Sequence, residues 1–277
     1  DLFGGAKQEL ILVNPISADL DVMRPSVLPT LATAALRNSD RGFGDLALFE
    51  LGPQYRDTSP EGQVQVAAGL RAGRLQRPHW SVPPRPLDAF DAKGDALAAL
   101  AAIGAPVDNL QVDAEAAPAW YHPGRSGALR LGPKQLAVFG ELHPRVLTAL
   151  GLRGPVVAFE VFPEAVPLPK AKAGKLRPAP ELSPFQPVSR DFAFVVDEAV
   201  PAEKLLRAAK GADKALISAV DLFDLYQGDG VPAGKKSLAI SVTLQPRQKT
   251  MTDQEIEAVA AKIVQQVAKA TGGSLRS

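Results

Sequence analysis

The chain has 277 residues, of which 46% are hydrophobic and 22% charged, as is typical of a folded protein with room for two domains. The net charge of +1 excludes strong, non-specific binding to nucleic acid, so any RNA contact must be local. Cysteine is absent, which excludes disulfides, thiol catalysis and cysteine-ligated metal sites.

The hydropathy pattern and the first residues bear on cellular location. No apolar run is long enough to span a membrane, and the chain does not begin with a charged segment followed by an apolar one. We therefore expect a soluble, cytoplasmic protein with no membrane partner. The first residues are D-L-F-G-G without an initiator methionine, so we expect a processed chain or a piece of a longer one.

Predicted strands dominate the first half of the chain. They lie at Glu9–Asn14, Leu46–Gly52, Gln63–Gly73, Leu110–Val112, Ala128–Leu131, Leu136–Phe139 and Val156–Phe162. A helix is predicted after Pro25, with Leu28, Leu31, Ala32, Ala35 and Leu36 at helical spacing and Asn38 as the C-cap. Further helices are predicted at Asp91–Gly104 and His143–Gly151, and a loop at Arg77–Pro86. The pattern predicts an α+β fold on an antiparallel sheet.

A proline-rich and lysine-rich segment, P-L-P-K-A-K-A-G-K-L-R-P-A-P, separates the two halves of the chain. Such composition resists helix and sheet and forms semi-rigid spacers. We therefore place a first domain at residues 1–165, a linker at 166–187 and a second domain at 188–277.

The second domain has an unusually clear order of elements. The strand R-D-F-A-F-V-V-D precedes a helix that opens at Pro201 and closes at Gly211. A hairpin over Lys214–Gln245 supplies the next two strands, and a capping box at Thr252 begins a long helix before the final S-L-R-S. The order βαββαβ predicts a ferredoxin-like domain with a four-stranded sheet, two helices behind it and one open face.

The hairpin carries a polar group beside its glycine-rich loop. Strict alternation places Asp224 and Tyr226 on one face together with Leu222, and Ser237 starts the return strand. An aromatic ring offers a stacking surface for a base, while a carboxylate and a hydroxyl can bind base edges. The residues alone leave two interpretations open: an RNA-binding face, or an ordinary hairpin with a polar end.

No self-contained catalytic motif is found. His122 lies in Y-H-P-G-R-S-G, which differs from the Gly-x-Ser-x-Gly elbow of serine hydrolases and has no second histidine at metal-binding spacing. We interpret it as a tight turn, interpret His79 and His143 as structural or surface residues, and predict no metal site. The alternative function is a small-molecule enzyme or binder with a pocket near His122, Arg125 and Glu141.

Three passages resemble the C-terminal part of the bacterial phenylalanyl-tRNA synthetase beta-subunit family. They are L-V-N-P-I-S-A-D-L-D-V-M-R-P-S-V-L-P-T-L, then Y-H-P-G-R-S-G with A-V-F-G-E-L-H-P-R-V, and finally S-R-D-F-A-F-V-V-D with Y-Q-G-D-G-V-P-A-G-K-K-S-L-A-I-S-V-T-L. They follow the family's order and cover essentially the whole chain. The resemblance implies a C-terminal fragment of that subunit.

For residues 1–165 the resemblance implies a catalytically degenerate module of the class II aminoacyl-tRNA synthetase type. Class II catalytic modules carry Phe-Arg-x-Glu on the strand that grips ATP, whereas this strand has A-L-F-E, with Leu48 in the arginine's place before Glu50. Without the arginine no ATP binding is expected in this fragment. The family resemblance implies ATP and Mg²⁺ for the holoenzyme, an alpha2beta2 heterotetramer whose catalytic alpha subunit packs against this module.

For the second domain the resemblance implies a ferredoxin-fold anticodon-binding domain that contacts the first anticodon base of tRNA(Phe). The family's base-binding residues carry over to Ala193, Asp224, Tyr226 and Ser237. Candidate phosphate contacts are Arg190, Lys235 and Lys236. The implied function is that of a non-catalytic fragment, which binds the anticodon region, packs on the alpha subunit and supports ATP-dependent attachment of phenylalanine to tRNA.

Overall fold

The structure, a computed structural model, describes residues 2–5, 7–18, 20–168 and 182–276. The chain divides into two compact units, Asp1–Ala173 and Gly174–Ser277. Most of the predicted linker, residues 169–181, lies outside the described residues. In the described ranges no helix is both long and apolar enough to cross a membrane.

The first unit contains a six-stranded sheet in which every neighbouring pair is antiparallel. Its strands, in the spatial order β1-β2-β6-β5-β4-β3, are β1 (Leu46–Tyr55), β2 (Gln63–Ala72), β3 (Gln111–Asp113), β4 (Tyr121–Leu131), β5 (Lys134–Leu142) and β6 (Val156–Val161). Its helices are α1 (Leu28–Asp40), α2 (Ala89–Ala102) and α3 (Pro144–Leu150). The predicted α+β architecture with an antiparallel sheet is confirmed.

Apolar residues on both faces of this sheet form two separate cores. One face packs on α1 and the other on α2, because alternate residues of β2 and β5 point to opposite sides. The core on the α1 side includes Leu28, Leu31, Val66, Leu70 and Val138. The core on the α2 side includes Ala96, Leu100, Leu136, Phe139 and Val161. Full burial of each such large side chain contributes about 1.5–3 kcal/mol, so the sheet is held from both sides.

A buried carboxylate ties the start of α1 to the sheet. Glu160 on β6 is 2% exposed and accepts hydrogen bonds from Ser26 Oγ at 3.0 Å, Tyr121 Oη at 3.2 Å and Trp120 Nε1 at 3.4 Å. Burial raises the pKa of Glu160, while the three donors oppose that rise. Ser26 Oγ also accepts from the Leu28 amide at 3.1 Å, so one hydroxyl binds both the first amide of α1 and the carboxylate.

The predicted first strand, Glu9–Asn14, is wrong. A short 3₁₀ helix occupies Gln8–Leu10, and a single bridge joins Ile11 to Val22. Val13 is fully exposed and has no neighbouring strand in the described residues. An apolar run becomes a strand only where a partner strand satisfies its backbone, and the sequence pattern does not show whether one is near.

Helix ends agree with the sequence in one case and differ in another. Gly104, predicted to end the second helix, lies two residues beyond α2 with φ of +83°. Asn38, predicted as the C-cap of α1, lies inside that helix, and its amide Nδ2 donates to the Ala34 carbonyl at 2.8 Å. Since the side chain is bonded to its own helix, it leaves the helix free to continue to Asp40.

The second unit has the predicted ferredoxin-like topology. Its elements are β7 (Val188–Asp197), α4 (Ala202–Gly211), β8 (Ile217–Tyr226), β9 (Lys235–Leu244), α5 (Asp253–Thr271) and β10 (Ser274–Leu275). The strands pair antiparallel in the order β10-β7-β9-β8. This order confirms the βαββαβ prediction.

Both helices of this unit pack on the same face of its sheet. The central strand β9 turns four apolar side chains toward them, at Leu238, Ile240, Val242 and Leu244. Helix α5 begins with the predicted capping box, in which Thr252 Oγ1 accepts from the Glu255 amide and the Glu255 carboxylate accepts from the Thr252 amide. No described helix covers the other face, which is where the candidate site lies.

Candidate nucleic-acid interface

The open face of the second sheet carries a patch of six residues in two rows, which we call the stacking patch. The rows run across strands β7, β9 and β8, and they are Val195–Ser237–Tyr226 and Ala193–Ala239–Asp224. Because side chains alternate along a strand, residues two apart share this face, and their neighbours point to the helix side of the sheet. The register therefore brings Ala193, Asp224, Tyr226 and Ser237 together on one surface.

A β-bulge in β8 sets which residues reach this face. The pairing with β9 shifts between Leu222 and Asp224, so Phe223 is an extra residue. The bulge places Leu222 on the helix side and Asp221 on the open side, so the strict alternation predicted across this strand is wrong. Asp224 and Tyr226 lie beyond the bulge and keep their common face.

The ring of Tyr226 is fixed by the loop that follows it. Its hydroxyl donates to the Asp229 carbonyl at 3.2 Å, and the side chain is 38% exposed. Gly228 adopts φ of +154°, and a Cβ there would lie 2.9 Å from the Tyr226 hydroxyl oxygen. Only glycine lets the loop pass this close, so the loop presents the ring at one orientation.

Sequence reasoning missed three residues on this face, Val195, Ala239 and Arg276. Ala239 lies between Ala193 and Asp224, and it could have been found by extending the alternation two residues beyond Ser237. The Arg276 guanidinium carbon lies 5.4 Å from the Tyr226 ring centroid, within cation–π range. Its position follows from the strand order, which no local pattern shows.

The three candidate phosphate contacts lie in different places. Arg190 is on the helix side of β7, 3.6 Å from the Glu257 carboxylate. Lys236 is also on the helix side, and its Nζ donates to a backbone carbonyl at 2.7 Å. Lys235 is on the open side and lies 3.5 Å from the Asp197 carboxylate. The structure thus brings only Lys235 to the face that carries the stacking patch.

The segment Tyr121–Gly127 in the first unit is not the tight turn that was predicted. It belongs to β4, whose pairing with β5 is interrupted between Tyr121 and Ser126. Pro123 within this interruption has no N–H to give to the sheet, and the bulge accommodates it. Ser126 Oγ donates to the His122 carbonyl at 2.7 Å, so the bulge is closed by its own side chain.

The alternative pocket near His122, Arg125 and Glu141 finds no support. Arg125 Nε lies 2.7 Å from Glu141 Oε2, so these two charges neutralise each other. The His122 ring stacks on His143 with centroids 6.4 Å apart. His143 in turn caps α3 by accepting from a backbone amide, as a structural residue does. No group of three or more potential metal ligands occurs among the described residues.

The β1 residues compared above with the ATP-binding strand of catalytic modules make contacts within this unit. Leu48 packs against the core on the α1 side, and Glu50 lies 2.6 Å from an Arg24 guanidinium nitrogen. On the next strand, Arg71 makes a two-point contact with Asp95 at 2.6 and 2.8 Å, which raises the pKa of Arg71. Both arginines are therefore paired with a carboxylate of the same unit.

Comparison with known proteins matches both units. Residues 2–162 match the family described as "Phenylalanyl tRNA synthetase beta chain CLM domain", and residues 183–276 match "Ferredoxin-fold anticodon binding domain". The chain is 61% identical over 275 residues to the phenylalanine–tRNA ligase beta subunit of Paramagnetospirillum magneticum and 58% identical over 275 residues to that of Rhodospirillum rubrum. Each alignment covers 99% of this chain and 34% of the relative, so the chain spans about a third of the length of these curated relatives.

Proposed function

The chain belongs to the phenylalanyl-tRNA synthetase beta-chain family, and from this premise we propose that it is part of a phenylalanine–tRNA ligase beta subunit that binds the anticodon region of tRNA(Phe). The complete enzyme attaches phenylalanine to tRNA with ATP and Mg²⁺ in the cytoplasm. This chain contributes binding and assembly, not chemistry, and a catalytic alpha subunit in an alpha2beta2 assembly supplies the chemistry.

The observation that carries the RNA-binding proposal is the stacking patch. Tyr226 offers a fixed, half-exposed ring for stacking, and Asp224 lies two residues away on the same face. Ala193 and Ala239 are small, so a flat base can approach the sheet beside the ring. Stacking of one base on an aromatic side chain contributes about 1–3 kcal/mol, and hydrogen bonds from the base edge to Asp224 and Ser237 add selectivity.

The burial of Ser237 sets a condition on this site. Ser237 lies directly between Val195 and Tyr226 and is only 3% exposed. Its hydroxyl can meet a base only if the side chains around it move aside when the RNA binds. We therefore assign the first contact to Tyr226 and Asp224, with Ser237 engaged once the base is seated.

The first unit, residues 1–165, has the role of packing on the alpha subunit, and the segment 166–187 links it to the RNA-binding unit. Support comes from an apolar loop near the start of the chain, where Val13, Ile16 and Leu20 are exposed by 100%, 106% and 70%. Exposed apolar groups of this kind mark surfaces that a partner covers. Co-purification of the assembled enzyme should weaken in Ile16→Asp and persist in Thr33→Asp, a helix-surface control.

Titration of the assembled ligase with tRNA(Phe) tests the RNA-binding role. Tyr226→Ala should weaken binding by about 1–3 kcal/mol, which is roughly 5-fold to 150-fold. Asp224→Ala should also weaken it, while Asp253→Ala at the start of α5, on the other side of the sheet, should not. If Tyr226→Ala and Asp224→Ala both bind as the wild type does, the site assignment is wrong.

A further inference from the structure

Arg276 extends from the edge of the second sheet across its open face. Its amide donates to the Ala193 carbonyl at 2.8 Å, which continues the pairing of β10 with β7. Tyr226 is on β8, three strand spacings or about 14 Å away across the sheet. The two side chains nevertheless meet, with the guanidinium carbon 5.4 Å from the ring centroid.

Arg276 has no ion-pair partner among the described residues of this unit. Within residues 182–276 no carboxylate lies within ion-pair distance of its guanidinium. The guanidinium instead makes a cation–π contact with the Tyr226 ring. Arg190 and Lys235, by contrast, each have a carboxylate partner, at 3.6 and 3.5 Å. A guanidinium presents five donors in a planar fork that matches a phosphate. The stacking patch thus has an available cation at its centre.

The guanidinium occupies the space that a stacked base requires. Stacked aromatic groups have centroids 4.5–7 Å apart, and Arg276 lies over the Tyr226 ring within that range. A base that stacks on this side of the ring must displace the guanidinium. The displaced guanidinium would be free to pair with the phosphate of the same nucleotide, while the hydrogen bond from its amide to Ala193 holds the Arg276 backbone in place.

We propose that Arg276 also belongs to the site and binds the phosphate of the nucleotide whose base stacks on Tyr226. This inference rests on the proposed RNA-binding function and deepens it. It also reassigns the phosphate contact, since Arg190 and Lys236 are on the opposite face of the sheet. In this arrangement Arg276 covers the Tyr226 ring in the free protein and binds the RNA phosphate in the complex.

The test is a salt titration of tRNA(Phe) binding to the assembled ligase. One phosphate contact with single-stranded RNA contributes about 0.7 to the slope of log affinity against log salt. Arg276→Gln should lower the slope by that amount and weaken binding roughly tenfold. Arg276→Lys should keep the slope, because it keeps the charge. Arg190→Gln is the matched control with the same chemical change on the helix side, and its slope should equal that of the wild type.

The outcomes separate this inference from the function on which it rests. If Tyr226→Ala weakens binding but Arg276→Gln leaves both affinity and slope unchanged, the phosphate role is wrong and the RNA-binding role stands. If Arg190→Gln lowers the slope as much as Arg276→Gln, the effect is one of net charge and the assignment to Arg276 is wrong. If Tyr226→Ala and Arg276→Gln both bind as the wild type does, the two proposals are wrong together.

Discussion

Filling the centre of the stacking patch should abolish base binding without harming the fold. Ala239 lies in the middle of one row of the stacking patch, between Ala193 and Asp224, and its side chain points away from the helix-covered core. Leucine at this position adds three carbon atoms above the sheet, in the space where the base would lie. Ala239→Leu should therefore reduce RNA binding while leaving the stability of the fold unchanged.

The energy of one base–aromatic stack sets the size of the expected effect. Loss of a stacked base costs about 1–3 kcal/mol, so tRNA(Phe) should bind roughly 5-fold to 150-fold more weakly to Ala239→Leu. The free energy of unfolding should change by no more than about 0.5 kcal/mol, because the new side chain lies on an open surface. A matched control is Thr243→Leu, on the same strand and face but four residues or about 13 Å away.

Two assays check this prediction: titration of the assembled ligase with tRNA(Phe), and urea unfolding of the 277-residue chain. The expected result is weak binding by Ala239→Leu, near wild-type binding by Thr243→Leu, and unchanged unfolding for both. Normal binding by Ala239→Leu would refute the placement of the base. Equal losses in the two variants would show that the whole face, and not the stacking patch, contacts RNA.

Three further predictions concern the scaffold. Burial raises the pKa of Glu160 above its usual 4.5, so its contribution to stability is fully present below pH 4.5 and is lost as pH rises through the raised value. Urea unfolding should therefore show wild-type stability falling relative to Glu160→Gln as pH increases, with a slope of at most about 1.4 kcal/mol per pH unit; parallel profiles would contradict this. The Lys249 and Thr252 contacts lower the pKa of Glu255 to about 2. The contribution of Glu255 to stability is therefore present above pH 4.5 and is lost as pH falls toward 2. Circular dichroism should show that Glu255→Gln unfolds at a higher pH than the wild type when acid is added. Thr252→Ala should cost about 1 kcal/mol in urea unfolding through loss of the cap, and an unchanged midpoint would count against it.

The sequence predicted the second unit better than the first. Its order of elements is set by local signals, namely the proline before α4, the glycines after β8 and the capping box at Thr252, and each signal specifies one boundary. The strand predicted at Glu9–Asn14 had an apolar run and no such support. Whether that run pairs depends on a partner far away in the chain, which hydrophobic pattern alone does not reveal.

The candidate site shows the same division between local and distant information. Asp224, Tyr226 and Ser237 could be grouped from alternation and the hairpin. The bulge at Phe223 could not be predicted, because the alternating pattern of the strand does not show where an extra residue is inserted. Arg276 was missed for another reason: β10 pairs with β7, so a residue near the end of the chain reaches a ring that lies fifty residues earlier.

The central claim is that this face recognises the first anticodon base of tRNA(Phe), and Asp224 is the residue that tests it most directly. Wild-type and Asp224→Ala enzymes should each be titrated with tRNA(Phe) carrying its native first anticodon base and with transcripts carrying a substituted base. Hydrogen bonds to a charged group contribute about 1.5–3 kcal/mol, so the wild type should prefer the native base by roughly tenfold or more. Asp224→Ala should bind both transcripts equally and weakly. Discrimination that persists undiminished in Asp224→Ala, or that is absent from the wild type, would contradict the account.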